Sequence, residues 1–341
     1  MAGPLYFVTS YRRPDQVIRL VETISRESPE AQILVHHDQF KTRLDVADVE
    51  RVAPQAHLLS SPRPLKWGDF SVVDMHWRCF EWALDRIDFD WLILLSEQDY
   101  PVWPLETTEK LLRESACDAF VGAPPLLPAG GELDGLAGAQ AVDATPDVPD
   151  PLRYHRYFYS YGAVPGAARL HGLSVPWAPV WRKLRQRVVK LVNRRPGRLV
   201  RANTYPDGMP TRLGVRRRST PFCSAFPCWV GKAWFAVSRS AVSEIVSFAK
   251  THPSYGRYYR WTLVPEESAT VTILANSAAL RIIPRNLHFE RWSEPYSGHP
   301  DVFRHEDLGE IIGSGMPFAR KFDLATDTQV LDALDAVRRP A

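Results

Sequence analysis

Several features that would place a protein quickly are scarce here. Four cysteines in 341 residues (Cys79, Cys117, Cys223, Cys228) are too few for a disulfide-stapled scaffold. Cys223 and Cys228 lack the second Cys or His pair that a zinc site needs. Cys79 falls in an apolar helical pattern and reads as core, and all four read as reduced thiols. No apolar run approaches the roughly 18 residues of a membrane span. The N-terminus, MAGPLYFVTSYRRP, lacks the basic region, long apolar core and small-residue cleavage site of a signal peptide. These absences lead to the expectation of a cytoplasmic protein. A surplus of one charge is missing too: 42 Lys and Arg against 39 Asp and Glu leave +3, which gives no case for a nucleic-acid partner. No internal repeat, Ser-His-Asp set, P-loop or GxGxxG motif stands out.

What is present is a core and an alternation. The chain is 45% hydrophobic and 24% charged, enough to bury a core, and its length suits one large α/β domain with insertions. Strand candidates LYFVTSY (5–11), QILVHHD (32–38), HLLSS (57–61), DWLILLS (90–96) and DAFVGAP (118–124) alternate with helical patterns. One helix carries Val17, Leu20, Val21 and Ile24 on a single face. Another, capped by Asp69 or Ser71, carries Val73, Trp77, Phe80 and Leu84. Such βαβ alternation predicts an open, mostly parallel, Rossmann-like sheet. Residues 124–151, rich in Pro, Gly, Ala and Asp, read as a loop. Residues 181–218 hold thirteen Lys or Arg and one acid, Asp207, with Leu184, Val188, Leu191 and Val192 at helical spacing. That pattern is either a solvated basic helix or a surface for an anionic acceptor or anionic lipid. After 231, KAWFAVS, a helix from Ser240 to Lys250, ESATVTILANS and ALRIIP resume the alternation.

Candidate chemistry sits at the ends of these elements. In LILLSEQDYP (92–101) an apolar strand runs into Glu97 and Asp99, two carboxylates with the spacing of a metal motif. Asp88-Phe89-Asp90 precedes that strand and reads as structural. His36 and His37 point to opposite faces of their strand and cannot share one ion; Asp38 follows them, as a turn residue or a ligand-facing carboxylate. Glu266 and Glu267, after Pro265, are acid–base candidates or the start of a helix. Arg320 and Lys321 are cations for a phosphate leaving group or a solvated pair.

The ordered blocks YFVTSYRRPDQVIRLVETI, ILVHHD, KWGDFSVVDM, WLILLSEQDYPV, GKAWFAVSR, LVPEESATVTILANS, NLHFERWSE, HP and FARKFD resemble the core-2/I-branching N-acetylglucosaminyltransferases and peptide O-xylosyltransferases, glycosyltransferase family fourteen. The resemblance spans roughly 5–125 and 228–335 and leans toward the xylosyltransferase branch and its bacterial relatives. It implies a nucleotide-diphospho-sugar transferase of the GT-A type, inverting, taking a UDP-sugar and forming a β-linkage to an acceptor hydroxyl. It puts the catalytic base on Glu267, the diphosphate cation on Lys321, the acceptor-stacking aromatic on Trp292, the uridine-binding acid on Asp38 and a conserved loop tryptophan on Trp67. Thr9, Ser10, Arg12, Asp99 and Arg320 complete the expected donor side, and Glu266 and Arg291 the acceptor side. The family works without a metal, so no cofactor is expected; the UDP-sugar is a substrate, with N-acetylglucosamine or xylose favoured over glucuronic acid. The small residue usual where Glu97 stands is replaced here, and the family's second phosphate-binding arginine has no match, leaving Arg304, Arg320 or Arg291 as substitutes. The chain reads as one transferase domain: a nucleotide-sugar-binding half (1–125), a variable insert (126–227) and an acceptor half (228–341). The competing readings are a non-catalytic sugar- or nucleotide-binding protein of the same fold, and a metal-dependent transferase using Glu97 and Asp99. A carbohydrate acceptor and peripheral contact of 181–218 with anionic lipid or acceptor are the partners implied.

Overall fold

A computed structural model describes residues 2–122, 125–126, 151–163, 187, 199–203, 212–293 and 299–339. The chain opens with β1 (Leu5–Ser10), α1 (Pro14–Glu27), β2 (Gln32–His37), α2 (Val46–Val52), β3 (Ala56–Leu59), α3 (Phe70–Arg86) and β4 (Trp91–Ser96). The apolar runs that identify β1, β2 and β4 in the sequence are those the sheet buries on both faces, whereas β3 lies at its edge and is only partly buried. Neighbours along β1 separate cleanly: Leu5 and Phe7 enter one core, Tyr6 and Val8 the other. The first core holds α3 (Val73, Phe80, Ala83) and, from later in the chain, α6 (Arg239–Thr251). The second holds α1, with Val17, Leu20, Val21 and Ile24 all buried, together with α10 (Gln329–Arg338). Pro14 starts α1 where its missing N–H costs nothing, and the Asp69 side chain caps α3 by accepting the Ser71 N–H.

β5 (Asp99–Pro101), α4 (Leu105–Glu114) and β6 (Ala119–Phe120) follow, and later β12 (Ala236–Ser238) and β13 (Ile282–Ile283) complete the sheet in the order β13-β6-β12-β4-β1-β2-β3. All pairings in it are parallel except those of β12 with β4 and β6. The expected mostly parallel, Rossmann-like α/β fold is therefore borne out. The order reverses between β1 and β4, and the crevice beyond their carboxyl ends is where such sheets bind ligands.

Two smaller sheets flank this frame. One joins β7 (Pro125–Leu126) to β11 (Cys228–Trp229); the other orders β8 (Tyr159–Ala163), β10 (Arg212–Arg216) and β9 (Val200–Asn203) side by side after α5 (Pro151–Phe158). A third, β14-β15-β5, brings β14 (His288–Glu290) and β15 (Phe318–Arg320) against the segment that follows β4. α7 (Pro253–Tyr259), α8 (Ala269–Asn276) and α9 (Leu308–Gly313) fill the spaces between. No described helix is long and apolar enough to cross a membrane.

The proposed loop 124–151 and the apolar stripe Leu184, Val188, Leu191 and Val192 lie almost wholly outside the described residues. Of the basic segment, Arg187 is described as helical and exposed, while 200–203 and 212–216 are strands rather than helix. Nor are its arginines all solvated. Arg201 packs over the Tyr159 ring, and Arg217 lies 3.8 Å from the Tyr258 ring centroid while donating to the Tyr258 carbonyl (2.7 Å). All four cysteines are free, with Cys79 in the core as expected.

Candidate active site

Three segments carry the candidate residues, and the first two meet at the crevice beyond β1 and β4. The first is the turn after β4. Glu97 is 1% exposed; its Oε2 accepts the Tyr11 N–H (3.1 Å), and its Oε1 is buried without a partner. Burial raises this carboxyl to about 7, against the pull of Arg12. Asp99 is also 1% exposed and fully engaged: Oδ2 accepts the Ser96 N–H (2.6 Å) and Oδ1 accepts Arg320 Nε (2.7 Å). Asp99 thus braces the turn. Among the described residues no group of three or more His, Cys, Asp or Glu side chains is placed to hold a metal ion.

The second segment is β15 and its exit. Arg320 reaches Glu290 as well (3.5 Å) and lies 4.3 Å from the Trp234 ring centroid. Its charge is shared between two buried carboxylates. Lys321, the next residue, differs. Burial, then Arg12, then Arg320 lower its ammonium to about 8. Arg12 reaches only Asp323, at 3.8 Å, and its side chain is 40% exposed. Glu97 and Asp323 pull the other way but are outweighed, and a desolvated lysine beside two guanidinium groups favours a bound anion.

The third segment is the turn Pro265–Glu267, a short 3-10 helix leading into α8. The helix-start reading and the acid–base reading of these glutamates are compatible. Glu267 is partly exposed and paired with Arg156 Nη1 at 2.7 Å. Glu266, expected among acceptor contacts, is instead buried under the Trp67-Gly68 loop, where its Oε1 accepts the Gly68 N–H (3.1 Å).

The remaining expected residues take varied places. Asp38 is buried at the end of β2, accepting the N–H groups of Phe40 (3.1 Å) and Leu65 (2.9 Å), so it ties the β2 exit to the loop before Trp67. Thr9 donates to the Leu95 carbonyl. Ser10 donates to His37 Nδ1, because the other ring nitrogen must donate to the Thr42 carbonyl. His36 faces the opposite way, onto Ser61, as the strand period requires. Beside it a cleft of about 650 Å³ opens between Ser60–Leu65 and α3. Trp67 is 41% exposed with its ring 5.6 Å from that of His299, and Trp292 is 44% exposed. Arg291 bonds Asp301 (2.9 Å), Asp307 (2.6 Å) and Glu310 (2.7 Å), which makes it a clamp on the segment 291–310. Arg304 meets Asp307 through its backbone N–H. Of the cations considered for the second phosphate contact, Arg291 and Arg320 are committed to carboxylates; Arg12, expected on the donor side but not among those three, acts on Lys321 together with Arg320.

Four residues that the sequence does not single out belong to this constellation. Glu290, 5% exposed in its side chain, accepts Lys232 Nζ and Trp292 Nε1 (3.1 Å). Burial alone would raise it, but Lys232 and Arg320 outweigh burial and hold it at about 2. Lys232 also lies 5.1 Å from the Trp292 ring centroid. Lys232 and Glu290 stood inside GKAWF and HFERW, yet 58 residues separate them and no local pattern links them. Arg156 lies 111 residues from Glu267 and had no signal at all. His288 is buried with both ring nitrogens unpartnered, 3.9 Å from Asp99.

Residues 6–123 match the family model described as Core-2/I-Branching enzyme. The similarity to the Core-2/I-branching family lies in that stretch. Beta-glucuronosyltransferase GlcAT14A of Arabidopsis thaliana is 33% identical over 124 residues, 36% of this chain and 27% of that protein. Xylosyltransferase 2 of Rattus norvegicus is 29% identical over 122 residues, 31% of this chain and 14% of that protein. The chain thus spans well under a third of either relative's length. Among solved structures, HddC from Yersinia pseudotuberculosis aligns over 36% of this chain and 60% of its own at 11% identity, with a TM-score of 0.24, too low to carry any weight below. The Core-2/I-branching match ends at β6, before Glu267, Trp292 and Lys321.

Proposed function

We propose that the protein is an inverting glycosyltransferase that moves a sugar from a UDP-sugar to an acceptor hydroxyl, forming a β-linkage without a divalent metal. The observation that carries this reading is Lys321, desolvated beside Arg12 and Arg320 at the switch point of the sheet. A nucleotide diphosphate is the anion such a crevice suits.

The chemistry divides among the segments. Glu267 takes the acceptor hydroxyl's proton as that oxygen bonds the anomeric carbon. The bond from that carbon to the β-phosphate oxygen breaks, and its electrons leave with UDP. Lys321 and Arg12 neutralise the charge that develops there. Arg156 orients Glu267 by pairing with one carboxylate oxygen, with the second left for the acceptor. Asp38 fixes the loop before Trp67 from the end of β2, while Trp67 and Trp292 offer aromatic faces to the apolar faces of sugars. Metal independence is supported by Asp99: its two oxygens bond Ser96 and Arg320, so a guanidinium stands where an ion would need a ligand. N-acetylglucosamine and xylose are the favoured donor sugars, and the names of the relatives add glucuronic acid to those worth testing.

UDP release from UDP-N-acetylglucosamine, UDP-xylose and UDP-glucuronic acid, with and without glycan acceptors, tests this directly. Turnover with one donor is expected. Tight binding of a UDP-sugar with no turnover for any acceptor would favour the non-catalytic binding protein.

A further inference from the structure

Gly68 ties the Trp67 loop to the Pro265–Glu267 turn at two points. Its N–H donates to Glu266 Oε1 (3.1 Å), and its carbonyl accepts the Val264 N–H (3.1 Å). Both residues have unusual backbones: Gly68 has φ 71° and Val264 has φ 50°. The left-handed region suits glycine, but a β-branched residue there is a true outlier, held in place by its surroundings. Tyr157 adds a third bond, from its hydroxyl to the Val264 carbonyl (3.0 Å). The chain is thus forced into this conformation where it joins the loop of Trp67 to the turn of Glu267.

Glu266 sits inside that junction. It is 7% exposed, and its Oε2 is buried without a hydrogen-bond partner. An ionised carboxylate would leave an unpaired charge in that place, whereas a protonated one satisfies Gly68 and carries none. The charged groups acting on it are Glu267 beside it and Arg156 from α5, which is already paired with Glu267. Tyr157 of α5 is fully buried in the same contact, α8 brings no ionisable side chain, and the Asp69 cap of α3 is paired with Arg212 at 3.6 Å. Burial, then Glu267, raise the Glu266 carboxyl to about 8.

We propose that Glu266 is a positioning residue that works as a neutral carboxylic acid, holding the Trp67-Gly68 loop against the Pro265–Glu267 turn so that donor and base share one rigid frame. This rests on the reading of Glu267 as the base only for its kinetic consequence; the neutral, load-sharing contact stands apart from it. The arrangement explains why two adjacent glutamates coexist: the partly exposed one pairs with Arg156 and faces the acceptor, and the buried one fixes the loop.

The test compares Glu266→Gln, Glu266→Ala and wild type in two measurements. The first is thermal stability against pH and needs no substrate. A carboxyl raised from an ordinary 4.5 to about 8 in the fold favours the folded state while protonated, so wild type loses stability as pH rises between those values. The amide has no such loss. The melting-temperature advantage of Glu266→Gln over wild type should therefore grow between about pH 5 and pH 8 and then level off. The second measurement is transfer near pH 7. Glu266→Gln keeps the bond to Gly68 and should hold kcat within about twofold, while Glu266→Ala loses on the order of 10–100-fold as the loop drifts. Parallel melting curves for wild type and Glu266→Gln, or a Glu266→Gln variant as inactive as Glu267→Gln, would overturn the proposal. If wild type proves inactive with every donor, the melting curves still decide it.

Discussion

The two halves of the sheet-and-site frame are held by different means. In the first, β1, β2 and β4 have six residues each, and their side chains fill two continuous cores. In the second, β12 to β15 have two or three residues each. There buried side chains such as Val237 and Phe318 are joined by charged pairs over long sequence distances, such as Asp99 with Arg320 across 221 positions. The first half is a hydrophobic platform; the second is an electrostatic arrangement laid on it. The Core-2/I-branching match covers the platform and Arg12, while Glu267 and Lys321 stand on the other part.

If that division holds, substitutions in the second half should remove chemistry and leave the fold, and core substitutions in the first should do the reverse. The largest effect is expected at Glu267. Glu267→Gln should lose transfer by roughly 10²–10⁴-fold while still binding UDP in a thermal-shift titration. A near-normal kcat in this variant would move the base elsewhere. On the platform, Phe7→Ala should cost about 3–5 kcal/mol of unfolding free energy by urea titration, with little change in kcat of the protein that remains folded. A loss of kcat far beyond the loss of folded protein would blur the division.

A smaller effect is expected at Trp292. Trp292→Ala should raise acceptor KM by about fivefold to tenfold, in keeping with a contact of about 1 kcal/mol, and leave donor KM alone. An effect on donor KM instead would place the ring on the other substrate. The mildest effect is expected in the basic segment 181–218, where charge reversal should raise acceptor KM severalfold at low salt and little at high salt if an anionic acceptor docks there. Unchanged kinetics at low salt would leave those cations a structural or solvated role.

The legibility of the sequence follows the same line. β1, β2, β4, α1 and α3 were readable because burial on a regular period writes itself into neighbouring residues. The basic segment is less legible for the complementary reason: among its described cations Arg187 is helical and exposed, whereas Arg201 and Arg217 lie on tyrosines supplied by distant elements. In the site, motif order led to Glu267, Lys321 and Trp292 as candidates, yet it could not reveal what surrounds them. That Arg320 serves Asp99 and Glu290, that Arg291 clamps its own segment, and that Glu266 is buried under Gly68 depend on tertiary pairings with no local period.

The central claim is that side-chain cations, Lys321 first among them, do the work a bound metal would do for a departing UDP. Turnover of wild type and Lys321→Ala, each with and without EDTA, tests it most directly. The account predicts full wild-type activity in chelator, and a loss of about 10²–10³-fold in Lys321→Ala that EDTA does not deepen. Because burial beside Arg12 and Arg320 lowers Lys321 to about 8, UDP affinity of the free enzyme should also weaken as pH rises through that value and the ammonium loses its proton. Wild-type activity that vanishes with EDTA and returns with Mn²⁺ or Mg²⁺ would contradict the claim and turn attention to Glu97, whose buried Oε1 has no partner.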